Sequence, residues 1–309
     1  MSIVICFNNK DPKPWQETLQ TKLPDTAIEI YPNVTDSKAV TFALCWKPEP
    51  NSLAQFPNVK VVQSVGASVE HIIQSQDLAS NCTVTRIVDN RLSEDMFEFI
   101  LTGVLSHLKR FAEYQKAQKE KQWQQKPYKT IQNTSIGILG LGKIGTHVAT
   151  KLAQVGFTVK AWSRSEKTLQ NVTCFHGNEG LADVLKNIDV LINILPLTSA
   201  TENILNLKHL SQLNKNGYLI NVGRGEHLVE NDLLTLLNNQ HLSGALLDVF
   251  RTEPLPENHP FWEHKNINIT PHIAAITNIE TASDIVVTNY KNLLNEKELI
   301  NVVSIEKGY

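Results

Sequence analysis

The segment SIGILGLGKIGTHVATKLAQVGF, residues 135–157, leaves a chain few ways to fold. A short β-branched run opens it. Gly140, Gly142 and Gly145 follow in G-x-G-x-x-G spacing, and His147, Val148, Leu152 and Val155 then mark an amphipathic helix. A strand, a glycine turn and a helix in that order form the first βα unit of a dinucleotide-binding sheet. Gly140 permits the tight turn, Gly142 lets backbone approach a pyrophosphate, and Gly145 lets helix and strand pack closely. The helix N-terminus offers unpaired N–H groups and a favourable dipole to phosphate. Gly140, Leu141, Gly142, Lys143, Ile144 and Gly145 are therefore expected to bind a cofactor's phosphates; a purely structural turn is the alternative.

The rest of the chain repeats this alternation. Before residue 94 the runs IVICF (3–7), AIEIY (27–31), TFALCW (41–46), VKVVQSV (59–65) and TVTRIV (83–88) read as buried parallel strands. After 135 come SIGIL, TVKAW (158–162), DVLINIL (189–195), YLINV (218–222), ALLDVF (245–250) and INIT (267–270), most separated by helical patterns. The expected class is α/β, with two doubly wound parallel-sheet domains and a ligand-binding cleft between them. A helix is expected over 94–124, apolar first (Met96, Ile100, Val104, Leu108) and polar later. It serves either as a connector that also packs on a partner subunit or as a helix with a frayed end. A last helix spans about 279–294, and the tail LINVVSIEKGY is placed back on the first domain.

Composition narrows the partners. With 41% apolar and 19% charged residues in 309, the chain has the balance of a soluble globular protein. A net charge of −2 without a basic run argues against nucleic acid or an anionic membrane as partner. No stretch approaches a membrane span, and MSIVICFNNK reads as a first strand rather than a signal peptide. Cys6, Cys45, Cys82 and Cys174 are scattered without a C-x-x-C pair, so free thiols in a reducing cytoplasm are expected and no metal site is.

The end of the second cofactor-domain strand decides which dinucleotide fits. An NAD-type unit places a carboxylate there for the ribose diol. This chain has Ser163 and Arg164, with Lys167 beyond and Glu166 between. Hydroxyl and guanidinium suit a 2′-phosphate, so NADPH is expected over NADH. Arg164 stacked on the adenine of NADH is the alternative.

Three later segments, INVGRGEHLVEND (220–232), LDVFRTEPLP (247–256) and ITPHIAA (269–275), each put a polar residue just after an apolar run. In open α/β sheets those positions face the ligand crevice. Arg224, Glu253 and His272 could therefore converge. Reduction of a 2-oxo acid needs a cation for the carboxylate and developing oxyanion, and an acid for the new alkoxide. Arg224 suits the first role and His272 the second, with Glu253 fixing the imidazole. Singly, each also has an ordinary structural reading. Asp248 interrupts ALLDVF, and a buried acid needs a partner, which backbone N–H groups would also satisfy.

GLGKIG, NVGRGEHLVEND, LDVFRTEPLP and TPHIAAIT, with AWSRSEK and the closing EKGY, together resemble the D-isomer-specific 2-hydroxyacid dehydrogenases over essentially the whole chain. The resemblance implies a discontinuous flavodoxin-like substrate-binding domain at 1–94 and 276–309 and a Rossmann NAD(P)-binding domain at 95–275. It implies NADPH-dependent reduction of small 2-oxo acids, glyoxylate and hydroxypyruvate foremost, in a cytoplasmic homodimer. Arg224 becomes the substrate-binding and catalytic arginine, His272 the proton donor and Glu253 its partner. Gly66, Ala67 and Ser68 of SVGASVEHI (64–72) become the loop whose amides hold the substrate carboxylate, with Trp46 lining the same site. Alone, that loop is an ordinary βα turn and Trp46 a packing residue. Leu195 and Pro196 would border the adenosine, Val222 and Gly223 the nicotinamide, and Asp248 its carboxamide. Met96 would lie near the nicotinamide, though its spacing makes core the default. Ser68 and Glu70 depart from the family's G-A-G-V-D pattern and leave the exact 2-oxo acid open. An NAD-linked dehydrogenase of other substrate range, or a catalytically silent dinucleotide sensor, are the rival readings.

Overall fold

The computed structural model describes residues 1–73, 75, 78–79 and 81–305, so the EKGY motif at 306–309 lies outside the described residues. The chain divides into two compact units: Met1–Leu92 with the segment from Thr277, and Ser93–Ile276.

The first unit carries β1 (Ser2–Phe7), β2 (Ile28–Ile30), β3 (Val40–Trp46), β4 (Val61–Ser64) and β5 (Thr83–Thr85). They form one parallel sheet in the order β2-β1-β3-β4-β5. Ile3, Ile5, Phe42 and Leu44 are fully buried on one face, and Val4, Ala43 and Cys45 on the other. Coverage of both faces is why these strands read as continuous apolar runs rather than alternating ones. Helix α1 (Lys13–Lys22) buries Trp15 and Leu19 against the sheet, and the short α2 (Glu70–Ile73) follows β4.

Helix α3 (Asn90–Leu108) is followed by α4 (Phe111–Lys119). The single helix expected over 94–124 is thus two. Arg110, between them, takes a left-handed φ of 58°. Its guanidinium grips Glu113 at 2.7 Å and donates to the Pro127 carbonyl at 3.0 Å. Ile100, Val104 and Leu108 anchor α3 in the core, whereas α4 buries no residue, so no apolar stripe carries one straight helix through. Met96, 7% exposed, belongs to that same core cluster, which is its default reading.

The second unit's sheet comprises β6 (Ser135–Leu139), β7 (Thr158–Ser163), β8 (Val172–His176), β9 (Val190–Asn193), β10 (Gly217–Asn221), β11 (Leu242–Leu247) and β12 (Ile267–Ile269). All pairings are parallel, in the order β12-β11-β10-β9-β6-β7-β8. Chain order reverses beside β6, which is where such sheets bind dinucleotides. Helices α5 (Lys143–Val155), α6 (Gly177–Leu185), α7 (Leu207–Leu210) and α8 (Glu230–Asn238) link the strands. β8 escapes the sequence reading because it is a half-exposed edge strand without a solid apolar run. Strand β11 ends at Leu247, so Asp248 stands just past the strand rather than within it.

Helix α9 (Ile279–Leu294) returns to the first unit. Asn278 caps its N-terminus by accepting from Thr281 N–H at 3.1 Å, and Lys22 of α1 pairs with Asp284 at 2.8 Å. The buried Asn289 donates to Gln63 at 2.9 Å, and Val302 bridges Thr85, so the tail lies along this unit's sheet edge.

Candidate functional site

The glycine loop joins β6 to α5. Gly140 has φ +107°, and a Cβ there would lie 2.9 Å from the Ile194 carbonyl oxygen. A Cβ on Gly145 would lie 1.8 Å from the Gly140 carbonyl oxygen, so only glycine allows this helix so close to its turn. Gly142 differs: a Cβ there would meet nothing within 4 Å. It caps α5 without a side-chain hydrogen bond, so no side chain at that cap satisfies the first-turn N–H groups of Lys143, Ile144 and Gly145. Leu141 is buried beneath the turn, while Gly142 and Lys143 are exposed. An amide cradle open above Gly142 and walled by backbone below fits a pyrophosphate.

The adjoining strand end carries the expected 2′-phosphate residues. Leu139 pairs with Trp162, and Gly140 N–H donates to the Trp162 carbonyl at 2.9 Å, so the end of β7 lies beside the glycine turn. Ser163 is buried and donates from Oγ to the Ser165 carbonyl at 2.7 Å, shaping the loop. Arg164, Ser165 and Lys167 are exposed beyond it.

The loops after β10, β11 and β12 hold the proposed chemistry. His272 Nδ1–H donates to Glu253 Oε2 at 2.9 Å, and Glu253 Oε1 accepts from Phe250 N–H at 3.1 Å. The carboxylate is thus anchored to its own loop and aims the ring. Nε2 of His272 makes no hydrogen bond among the described residues, and the side chain is 35% exposed. His272 sits at φ +55°, a left-handed backbone rarely kept by a non-glycine residue without a constraint. Asp248 supplies it. Its carbonyl accepts from His272 N–H at 2.9 Å, and its carboxylate accepts from Thr270 Oγ1 (2.6 Å), Ile273 N (2.8 Å) and Ala274 N (2.9 Å). Three of about four lone-pair positions are filled, leaving one on Oδ2 for the cofactor contact expected of Asp248.

Arg224 lies on the neighbouring loop, after β10. A Cβ on Gly225 would lie 1.9 Å from the Phe250 carbonyl carbon, so the Arg-Gly pair exists to press this loop against the Glu253 loop. Arg224 Nη1 donates to the Gly223 carbonyl at 2.6 Å.

Beneath Arg224 lies a buried network that sequence reasoning missed. Asn193 and Asn221, register partners on β9 and β10, are joined Nδ2 to Oδ1 at 2.9 Å. Asn193 Nδ2 also approaches His227 Nδ1 at 2.9 Å, and Arg224 N–H donates to the same nitrogen at 3.1 Å. Two donors on Nδ1 place the ring proton on Nε2, which donates to the Pro196 carbonyl at 3.2 Å. Asn221 Oδ1 accepts from Gly223 N–H, and Asn193 Oδ1 from Leu195 N–H. Leu195, Pro196, Val222, Gly223 and Arg224 are thereby tied into one piece. The signal was present: an asparagine inside each of two buried apolar strands needs partners.

In the first unit, Trp46 ends β3 and Gly66–Ser68 follows the adjacent β4. A Cβ on Gly66 would lie 3.3 Å from Trp46 Cζ3. Of the three expected amides, Gly66 N–H is committed to Ser64 Oγ at 3.2 Å, and that hydroxyl donates to the Ser68 carbonyl at 2.6 Å. The N–H groups of Ala67 and Ser68 have no acceptor among the described residues. The anion-binding role expected of this loop therefore narrows to two amides.

Residues 101–274 match the family model for the D-isomer specific 2-hydroxyacid dehydrogenase NAD binding domain. The glyoxylate/hydroxypyruvate reductase A of Yersinia enterocolitica serotype O:8 is 39% identical over 314 residues, covering 100% of both chains. The protein of that name from Photorhabdus laumondii is 38% identical, again over 100% of both. Among solved structures, a D-isomer specific 2-hydroxyacid dehydrogenase from Xanthobacter autotrophicus Py2, in complex with NADPH and MES, superposes with a TM-score of 0.95 at 34% identity, over 100% of this chain and 99% of that one. The NADPH-dependent glyoxylate/hydroxypyruvate reductase of Sinorhizobium meliloti, in complex with NADP and sulfate, gives 0.94 at 30% identity over 100% of both chains.

Proposed function

Because the chain belongs to the D-isomer specific 2-hydroxyacid dehydrogenase family, we propose that it reduces small 2-oxo acids, glyoxylate and hydroxypyruvate among them, to 2-hydroxy acids with NADPH. The observation that carries this reading is the 2.9 Å bond from Glu253 to a His272 whose second nitrogen is unengaged among the described residues. The proposed assignment makes the first unit substrate-binding and the second NADP-binding.

The amides at Gly142–Gly145 hold the pyrophosphate, and Arg164 receives the 2′-phosphate from the loop that Ser163 shapes. Leu195 and Pro196 border the adenosine, while Val222, Gly223 and the open lone pair of Asp248 serve the nicotinamide. When bound, NADPH supplies hydride to the carbonyl carbon. Arg224, charged at every working pH, holds the substrate carboxylate and offsets charge growing on the carbonyl oxygen. In the first unit, Ala67 and Ser68 N–H are the donors offered to a substrate carboxylate, with Trp46 beside the loop. His272 delivers its Nε2 proton to the oxygen, giving the hydroxyl, while Glu253 keeps Nδ1–H bonded and the ring aimed. Asp248 holds the loop on which the ring stands.

Among the described residues no helix is long and apolar enough to cross a membrane. A homodimer working in the cytoplasm completes the proposal. The test is NADPH oxidation by the purified chain with a panel of 2-oxo acids and both dinucleotides. Glyoxylate-dependent oxidation is expected, with kcat/KM for NADPH at least about tenfold above NADH, or about 1.4 kcal/mol. Tight NADPH binding without turnover of any 2-oxo acid would refute the catalytic reading, and an NADH preference would refute the cofactor assignment alone.

A further inference from the structure

The carboxyl edge of the first unit's sheet gathers positive charge around one indole. Phe7 at the end of β1 pairs with Trp46 at the end of β3, and Asn8 N–H donates to the Trp46 carbonyl at 3.0 Å. This brings the next turn alongside the ring. Lys10 Nζ lies 5.2 Å from the Trp46 ring centroid and Lys47 Nζ 6.0 Å from it. The His71 ring is tilted against the same indole, centroids 5.2 Å apart. Gly66 touches the ring from the loop whose Ala67 and Ser68 amides point to no protein acceptor. Thus the Trp46 indole is shared by the Gly66–Ser68 loop and by the side chains of Lys10, Lys47 and His71.

Lys10 is the telling member. It makes no hydrogen bond or ion pair with any described residue, and its ammonium lies over the Trp46 ring. Glu70, on the loop side, accepts at Oε2 from Val69 N–H at 3.1 Å. Burial pushes the Lys10 ammonium down from the ordinary lysine value, with no carboxylate acting against it. A cation half-withdrawn from water normally sits beside a counter-charge. Glyoxylate, with one carboxylate and no tail, has nothing to offer it.

Resting on the 2-oxo acid reading above, we propose that the preferred substrate carries a second anionic group, carboxylate or phosphate ester, and that Lys10 pairs with it. Ala67 and Ser68 N–H take the 2-oxo acid's own carboxylate, and the carbon chain between the two anions lies along Trp46. Lys47 adds to the positive field around the indole.

Matched substrate pairs test this on the full chain with NADPH: oxaloacetate against 2-oxobutyrate, and 3-phosphohydroxypyruvate against hydroxypyruvate. The member of at least one pair that carries the second anionic group should exceed its monoanionic partner at least tenfold in kcat/KM. Lys10→Met should lower that ratio at least tenfold, and Lys10→Arg should restore most of it. A response in the first pair identifies a carboxylate, and one in the second a phosphate ester. Lys10→Gln, checked by circular dichroism for native folding, stands in if the Met variant is unstable. Equal kcat/KM within both pairs, or a ratio unmoved by both substitutions, would overturn the inference while glyoxylate turnover leaves the parent reading standing. Absence of turnover with every substrate would overturn both.

Discussion

At the scale of single residues, the chemistry rests on two side chains whose second contacts define them. His272 bonds Glu253 through Nδ1, and its Nε2, unengaged among the described residues, is the proposed proton donor. His272→Ala is expected to lower kcat by about 10²–10⁴-fold while NADPH still binds, measured by steady-state kinetics and fluorescence titration. A rate within a few-fold of wild type would remove the imidazole from the mechanism. Arg164, exposed past the end of β7, is expected to select the 2′-phosphate. Arg164→Asp should raise the KM for NADPH at least about tenfold and leave that for NADH nearly unchanged. Equal loss with both dinucleotides would mean that the guanidinium serves the adenine instead. These positions were picked out in the sequence because a polar residue just past an apolar run faces the crevice of an open α/β sheet. Asn193, Asn221 and His227 were not read as a set, because each becomes meaningful only when β9 and β10 stand in register.

At the scale of elements, close approach matters more than propensity. Gly225→Ala would put a methyl 1.9 Å from the Phe250 backbone. It should destabilise the fold by several kcal/mol, seen as a lowered urea midpoint, because neither backbone can move aside without dragging the Glu253 loop. An unchanged midpoint would mean that the loops are not pressed together. Helix α3 carries a second test. His107 stacks on Tyr218 of β10, centroids 3.9 Å apart. Burial, then the charge of Arg110, lowers its pKa from 6.5 to about 4. The folded state thus resists a proton that the unfolded chain accepts. Stability is full above the unfolded pKa near 6.5 and falls as pH drops from there toward 4, by roughly 3 kcal/mol through this group. Chemical denaturation of His107→Phe between pH 7 and 4 should lack that component; a wild-type slope in the variant would contradict it. The break between α3 and α4 was illegible beforehand, since an arginine in left-handed backbone leaves no mark in a helical pattern.

At the scale of the whole molecule, the apolar surface left uncovered around α4 bears on the proposed dimer. Trp123 is 98% exposed, with Phe111 and Tyr128 more than half exposed. Single large side chains this open on one stretch of chain suit burial against a second copy. Light scattering should report twice the monomer mass, and Phe111→Glu with Trp123→Glu should return the monomer; a monomeric wild type would sink the proposal. NADPH should also raise the melting temperature in a concentration-dependent way, since it binds only the folded chain.

What the amino-acid order determined by itself was local and periodic. Apolar runs of strand length, glycines at fixed offsets and polar residues placed just after strands announce a parallel α/β chain with a phosphate-binding turn, because each depends on neighbours a few positions away. Tertiary structure decided what depends on distant segments meeting. It gave Asp248 to the loop that holds His272, and linked Asn193 to Asn221 and to His227 under Arg224. A side chain's second hydrogen-bond partner lies tens of residues away in these cases, and only strand register says which group arrives.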